Sequence, residues 1–143
     1  MAQLFGDKVI NGTWTEVWLD DEYVAEATGV TAKVEFQTET VNFAGQMFED
    51  RKVVGYTGSG SLTLHKVNTR FQNSIAETMK TGKEARFTLI VKIADPSVDG
   101  VERVALKNVC LNSLPLFETD MKKLLNVTYD FSFSDFEYLE TIN

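Results

Sequence analysis

A single cysteine means that no disulfide can form within the chain, so nothing demands an oxidising compartment. With only one histidine as well, the soft ligands of a zinc-type site cannot be assembled. Basic charge is short too. Fourteen Lys and Arg stand against 21 Asp and Glu, a net charge of -7. That balance argues against a protein that grips nucleic acid by neutralising phosphates, and leaves open a surface that must repel it. No apolar run approaches the roughly 20 residues of a membrane helix. The first residues, Met1-Ala2-Gln3-Leu4-Phe5-Gly6-Asp7-Lys8, lack the apolar core of a signal peptide. The expectation is a soluble chain made in a cytoplasm. Internal repeats, linkers and low-complexity segments are missing as well, so residues 1–143 read as one domain.

What is present favours β-structure. Ten Phe, four Tyr and two Trp are β-formers, and a chain of this length buries roughly 68% of its unfolded surface, enough for a core. The organising stretch is 53–82. It opens with Gly55, Gly58 and Gly60, which leads into a strand over Leu62 to Val67. One helix is predicted from about 69 to 81. Thr69 and Gln72 have capping-box spacing, and Phe71, Ile75 and Met79 form an apolar stripe. Lys80 and Lys83 suit the C-terminal end, where Gly82 can take the left-handed conformation that stops a helix.

Elsewhere the pattern has period two. Thr13 to Leu19 alternates, with Trp14, Glu16 and Trp18 on one face; Asp20-Asp21-Glu22 is a turn, and Tyr23 to Ala27 returns. From Val30 to Val41, Val30, Ala32, Val34 and Phe36 share a face predicted to be buried. Lys33, Glu35, Gln37 and Glu39 share the wet one. Residues 42–58 show no usable period and read as a long loop, functional or mobile. Ala85 to Ala94 and Val101 to Cys110 make a hairpin around Asp95-Pro96-Ser97-Val98-Asp99-Gly100. Residues 111–123 are ambiguous around Pro115. Leu125, Val127, Tyr129, Phe131 and Phe133 alternate with Thr128, Asp130 and Ser132 in the clearest strand. An acidic, aromatic tail follows, with Phe136 and Tyr138 free to dock.

No reactive constellation emerges. His65 has no nucleophile or orienting carboxylate that the sequence can place beside it, and Cys110 ends an apolar strand as an inert thiol. Asp20-Asp21-Glu22 and the Asp95/Asp99 pair lack calcium-loop spacing. The glycines at 55–60 run into a strand rather than a helix, so they permit a bend or a close backbone contact instead of cradling phosphate. Three readings stay open on the residues alone: a self-assembling structural subunit, a β-sandwich carbohydrate-binding module using Trp14 and Trp18, and a small lipid-binding barrel.

The order of several motifs resembles the tail-tube family of contractile-tailed phages, of the kind found in PBSX-like defective prophages and contractile bacteriocins. The motifs begin with Ile10-Asn11-Gly12 and Val17-Trp18-Leu19-Asp20-Asp21-Glu22. They continue through Val30 to Val41, Gly55-Tyr56-Thr57-Gly58-Ser59-Gly60, Lys66-Val67-Asn68-Thr69-Arg70-Phe71, Phe87-Thr88-Leu89 and Gly100 to Leu106. They close with Phe131-Ser132-Phe133-Ser134-Asp135-Phe136. Departures concentrate in 42–54 and 111–124.

The resemblance implies a mainly β fold, a β-sandwich or split barrel of antiparallel strands with one short helix at its side. It implies no enzymatic activity and no cofactor or metal. Six copies would form a ring, and stacked rings a tube. That tube would sit inside a tail sheath protein and be assembled with tape-measure and baseplate proteins in the bacterial host cytoplasm. It would end up in a virion tail or a phage-tail-like particle. In phages it would pass DNA without sequence-specific binding; in a bacteriocin it would pierce an envelope. Lys33, Glu35, Gln37, Glu39, Thr128, Asp130 and Ser132 are the expected lumen-facing residues. Phe43, Met47, Phe48, Glu49, Arg51, Lys52, Phe136 and Tyr138, with the N-terminal residues, are the expected contacts between subunits or rings.

Overall fold

A computed structural model describes residues 5–143, so the expectation placed on residues 1–4 lies outside the described residues. Eight strands and one helix follow one another as β1 (Thr15–Leu19), β2 (Glu22–Tyr23), β3 (Ala27–Val41), β4 (Asp50–His65), α1 (Arg70–Lys80), β5 (Phe87–Ile93), β6 (Glu102–Leu111), β7 (Asn126–Phe133) and β8 (Asp135–Glu140). Neighbours run in the order β2-β1-β5-β6-β7-β4-β3, with β8 also on β6, and every pairing is antiparallel.

One bend turns this sheet into two facing halves. Leu89 pairs with Leu106, but Phe87 pairs with Val109, so β6 carries one extra residue there, and Asn108 sits at φ 57. Such a bulge bends its strand. Before it, β6 pairs with β8 through Arg103 to Lys107; after it, Cys110 and Leu111 pair with β7. The Asn108 side chain donates to Ser134 Oγ at 2.8 Å, across the matching corner between β7 and β8. The core lies between the halves: Val17, Leu89, Leu106 and Val109 from one side meet Leu62, Phe131 and Phe133 from the other. The sheet folded on itself is the expected sandwich-like, mainly β architecture.

Helix α1 closes one end of this core. The Phe71 ring meets Tyr129 edge-on at 5.1 Å and Phe87 at 6.0 Å. Gly82 does adopt the left-handed conformation, at φ 80. The capping box does not form. Asn68 Oδ1 accepts from the Arg70 N–H at 3.1 Å, and Gln72 turns inward to donate to the Pro115 carbonyl and accept from Lys66. Met79, at the far end of the predicted stripe, is exposed.

Four further features differ from the sequence expectation. The strand predicted from Leu62 begins twelve residues earlier, at Asp50, so the loop read over 42–58 spans only 42–49. The cause is tertiary: β3 supplies a ladder that local pattern does not reveal. The returning strand read at Tyr23 to Ala27 is only Glu22–Tyr23, after a two-residue turn with Asp20 and Asp21 both left-handed. The face of β3 expected to be buried is covered only in part, because Val30 and Val34 are half-buried while Ala32 and Phe36 are exposed. The tail is strand β8 on β6 rather than a free segment.

Candidate functional site: a polar sheet face and a projecting ribbon

Register decides which side chains share a face. In the half made by β3, β4 and β7, Thr31 lies opposite Ser61 and Ser61 opposite Asp130; Lys33 lies opposite Ser59 and Ser59 opposite Ser132. Glu35 lies opposite Thr57, and Thr63 opposite Thr128. With side chains alternating along each strand, these residues form one continuous polar face. The opposite face carries Leu62, Val127, Tyr129, Phe131 and Phe133 into the core.

Short contacts order the polar face. The Thr31 and Ser61 hydroxyls are 3.0 Å apart, Thr63 and Thr128 3.1 Å, and Gln37 Nε2 donates to Thr57 Oγ1 at 2.8 Å. Ser132 donates to Asn112 Oδ1 at 2.7 Å. Lys33 Nζ lies 2.9 Å from Glu35 Oε1. That hydrogen bond, with the charge attraction behind it, raises the Lys33 pKa and lowers the Glu35 pKa. The one cation among the expected lumen residues is therefore matched by its neighbour.

Of the seven residues expected on a lumen, six share this face directly. Glu39 reaches it beyond an irregularity: Gln37 pairs with Gly55 but Thr38 with Val53, so Val54 is the extra residue. The shift brings Lys52 opposite Glu39. Sequence reasoning missed Thr57, Ser59, Ser61 and Thr63, the β4 share of the face. Their alternation with Gly58, Gly60, Leu62 and Leu64 was a readable signal hidden behind the glycines.

Those glycines are spacers. A Cβ on Gly60 would stand 2.2 Å from the Thr31 carbonyl oxygen and 2.7 Å from the Phe131 ring, and one on Gly58 2.6 Å from the Phe133 ring. The two core rings approach the β4 backbone closely because no side chain projects there. The close backbone contact expected from the sequence is present.

Beyond Gly58, where β7 ends, β3 and β4 continue as a two-stranded ribbon with no third strand among the described residues. Such a ribbon is marginal alone in water. Phe36 and Tyr56 pair across it edge-on at 5.5 Å, yet are 66% and 70% exposed. Its tip holds Phe43, Met47, Phe48 and Glu49, all exposed; Arg51 and Lys52 sit in β4. Phe136 and Tyr138 lie on β8, their rings 6.3 Å apart, and border an open groove of about 320 Å³ with Val30, Val34, Val104 and Leu106. Trp14 falls in a 3-10 turn before β1, and Trp18 packs on Tyr23 at 5.2 Å. His65 is exposed at the end of β4, and Cys110 is half-buried. Among the described residues no group of three His, Cys, Asp or Glu is placed to hold a metal.

A sheet half with one wet face, a projecting apolar ribbon and, among the described residues, no partner along the outer side of β3 is the surface of an assembling part. A family model described as phage tail tube protein matches residues 2–140. The chain belongs to the phage tail tube protein family. This tail tube protein is 30% identical over 142 residues to the phage-like element PBSX protein XkdM of Bacillus subtilis strain 168, across 98% of this chain and 97% of that one. Its fold is similar to the tube-terminating cap of an anti-feeding prophage, with TM-score 0.75 at 12% identity, across 99% of this chain and 95% of that one. It is also similar to a chain of the sheath–tube complex of an extracellular contractile injection system in its extended state. There the TM-score is 0.71 at 9% identity, across 94% and 93% of the two chains. The protein is a structural subunit of a tail tube, of the PBSX-like kind.

Proposed function

We propose that residues 1–143 act as one tail-tube domain, six copies of which close into a ring whose inner wall is the polar face of β3, β4 and β7. The observation that carries this reading is the co-facial set Lys33, Glu35, Gln37, Thr128, Asp130 and Ser132 with the β4 hydroxyls, left uncovered on a sheet whose edge strand, the 15-residue β3, pairs with β4 on one side and has no partner strand on the other among the described residues. Identical neighbours complete such an edge, and closure removes it. A wall of hydroxyls, carboxylates and one neutralised lysine offers a phosphate polyanion nothing to hold, so DNA slides without sequence-specific binding.

Rings stack into the tube through the ribbon tip, with Phe43, Met47, Phe48 and Glu49 as contacts and Arg51 and Lys52 at its base. Phe136 and Tyr138 border the groove that faces a neighbour in the ring. The role is structural and not enzymatic. Sheath, tape-measure and baseplate proteins are the partners of such a tube, assembled in the bacterial host cytoplasm for a virion tail or a phage-tail-like particle. Light scattering on the concentrated protein tests the ring directly. A mass of six chains or a multiple of six, with annular particles or stacks of them in negative stain, is expected; a persistent monomer refutes the reading. A carbohydrate-binding role fares worse, because Trp18 is engaged with Tyr23 instead of forming a platform with Trp14.

A further inference from the structure

Two apolar patches lie at opposite ends of the β3–β4–β7 half. One is the ribbon tip, where Met47 is 100% and Phe48 92% exposed, with Phe43 beside them. The other is the connection between β6 and β7. It leaves the body at Pro115, whose carbonyl is held by Gln72, and returns at Leu125, whose carbonyl accepts from Lys66 N at 2.8 Å. Both anchors adjoin the His65 end of β4, whereas the tip adjoins the Asp50 end. Sixteen residues of strand separate them, roughly 50 Å along the sheet. Between its anchors this connection exposes Leu116, Phe117, Met121 and Leu124, each by 71% or more.

We propose that the ribbon tip of one copy docks on the 116–124 connection of a second copy in the next ring. This rests on the stacked-ring reading and names the surface that receives the tip. Apolar patches of this kind mark contacts, and two different patches at opposite ends join head to tail, which repeats into an open filament instead of closing as a dimer. Charge does not oppose the pairing, because both stretches are neutral overall: Glu49 and Asp50 stand beside Arg51 and Lys52 at the tip, and Glu118 and Asp120 beside Lys122 and Lys123 on the connection. Lys123 is tied to Asp120 at 3.1 Å. Seven side chains of this size bury about 1,000 Å², near the lower limit for a specific contact. One such junction is weak, and a ring that makes several at once holds firmly.

The test uses the full chain. Wild type at high concentration is expected to give stacked rings in negative stain. The double variant Phe117→Asp, Met121→Asp is expected to melt like wild type, since both positions are exposed, and to give single rings, with mean stack length cut at least about ten-fold. In a Cys110→Ser background, Met47→Cys with Met121→Cys is expected to yield a ladder of disulfide-linked chains under mild oxidation, because each copy gives one tip and receives one. Full-length tubes from the Asp variant, or linked pairs from Met47→Cys alone, overturn the head-to-tail pairing and leave the ring reading intact. A wild type that forms no ring overturns both.

Discussion

Replacing Gly60 with alanine adds one methyl group at the point where β3, β4 and β7 are most tightly joined. The new Cβ would stand 2.2 Å from the Thr31 carbonyl oxygen and 2.7 and 2.9 Å from two atoms of the Phe131 ring. A flexible side chain could give way, but the Thr31 carbonyl belongs to the β3–β4 ladder and Phe131 is only 2% exposed in the core. Overpacking of this kind costs about 1–3 kcal/mol, and the backbone clash puts Gly60→Ala at the upper end. For a domain of this size, about 3 kcal/mol lowers Tm by roughly 10 °C. Gly29→Ala is the control. It lies in the same strand pair with nothing within 4 Å of its Cβ, and should be neutral or stabilising by about 0.5 kcal/mol. Denaturant unfolding at a concentration where the chain is monomeric measures both. A Gly60→Ala variant within about 0.5 kcal/mol of wild type would show that the glycines are not spacers for the core rings.

Two further predictions concern buried polar groups. Burial pushes the Tyr129 phenol up to about 12. The native state therefore holds this proton where the unfolded chain, with a value near 10, has lost it. Stability from this group is intact below about pH 10 and falls by about 1.4 kcal/mol per unit toward pH 12. Tyr129→Phe should flatten that decline in alkaline unfolding curves; an unchanged slope refutes the assignment. Asp95 is buried, with Oδ2 accepting from Asn11 N at 2.8 Å and Oδ1 from Ser97 N at 2.9 Å. Asp95→Ala leaves both N–H groups without their acceptor and should cost about 2–4 kcal/mol, while Asp95→Asn, which keeps one acceptor, should cost less; equal losses in thermal melts contradict this.

The fold was legible where a strand has one buried face. Val127, Tyr129, Phe131 and Phe133 are all buried, as their alternation requires, and the β5–β6 hairpin falls around Asp95 to Gly100 as read. The polar alternation of β3 and β7 was legible too, although only the register shows that β4 lies between them and joins their polar residues into one face. What escaped depends on contacts distant in sequence. Residues 50–57 carry little pattern of their own and become strand because β3 pairs with them. The Gln72 side chain has helix-cap spacing but finds Pro115, 43 residues away, a more favourable partner. The exposed residues at 116–124 gave no periodic signal, since irregular chain has no period to read.

The central claim is that the wet face of β3, β4 and β7 becomes an inner wall. A cysteine at Ser59, in the middle of that face, in a Cys110→Ser background and coupled to a small gold cluster, tests it in end-on images of the assembled particles. Density inside the ring, at the channel wall, is the predicted result. Clusters around the outer rim would contradict it.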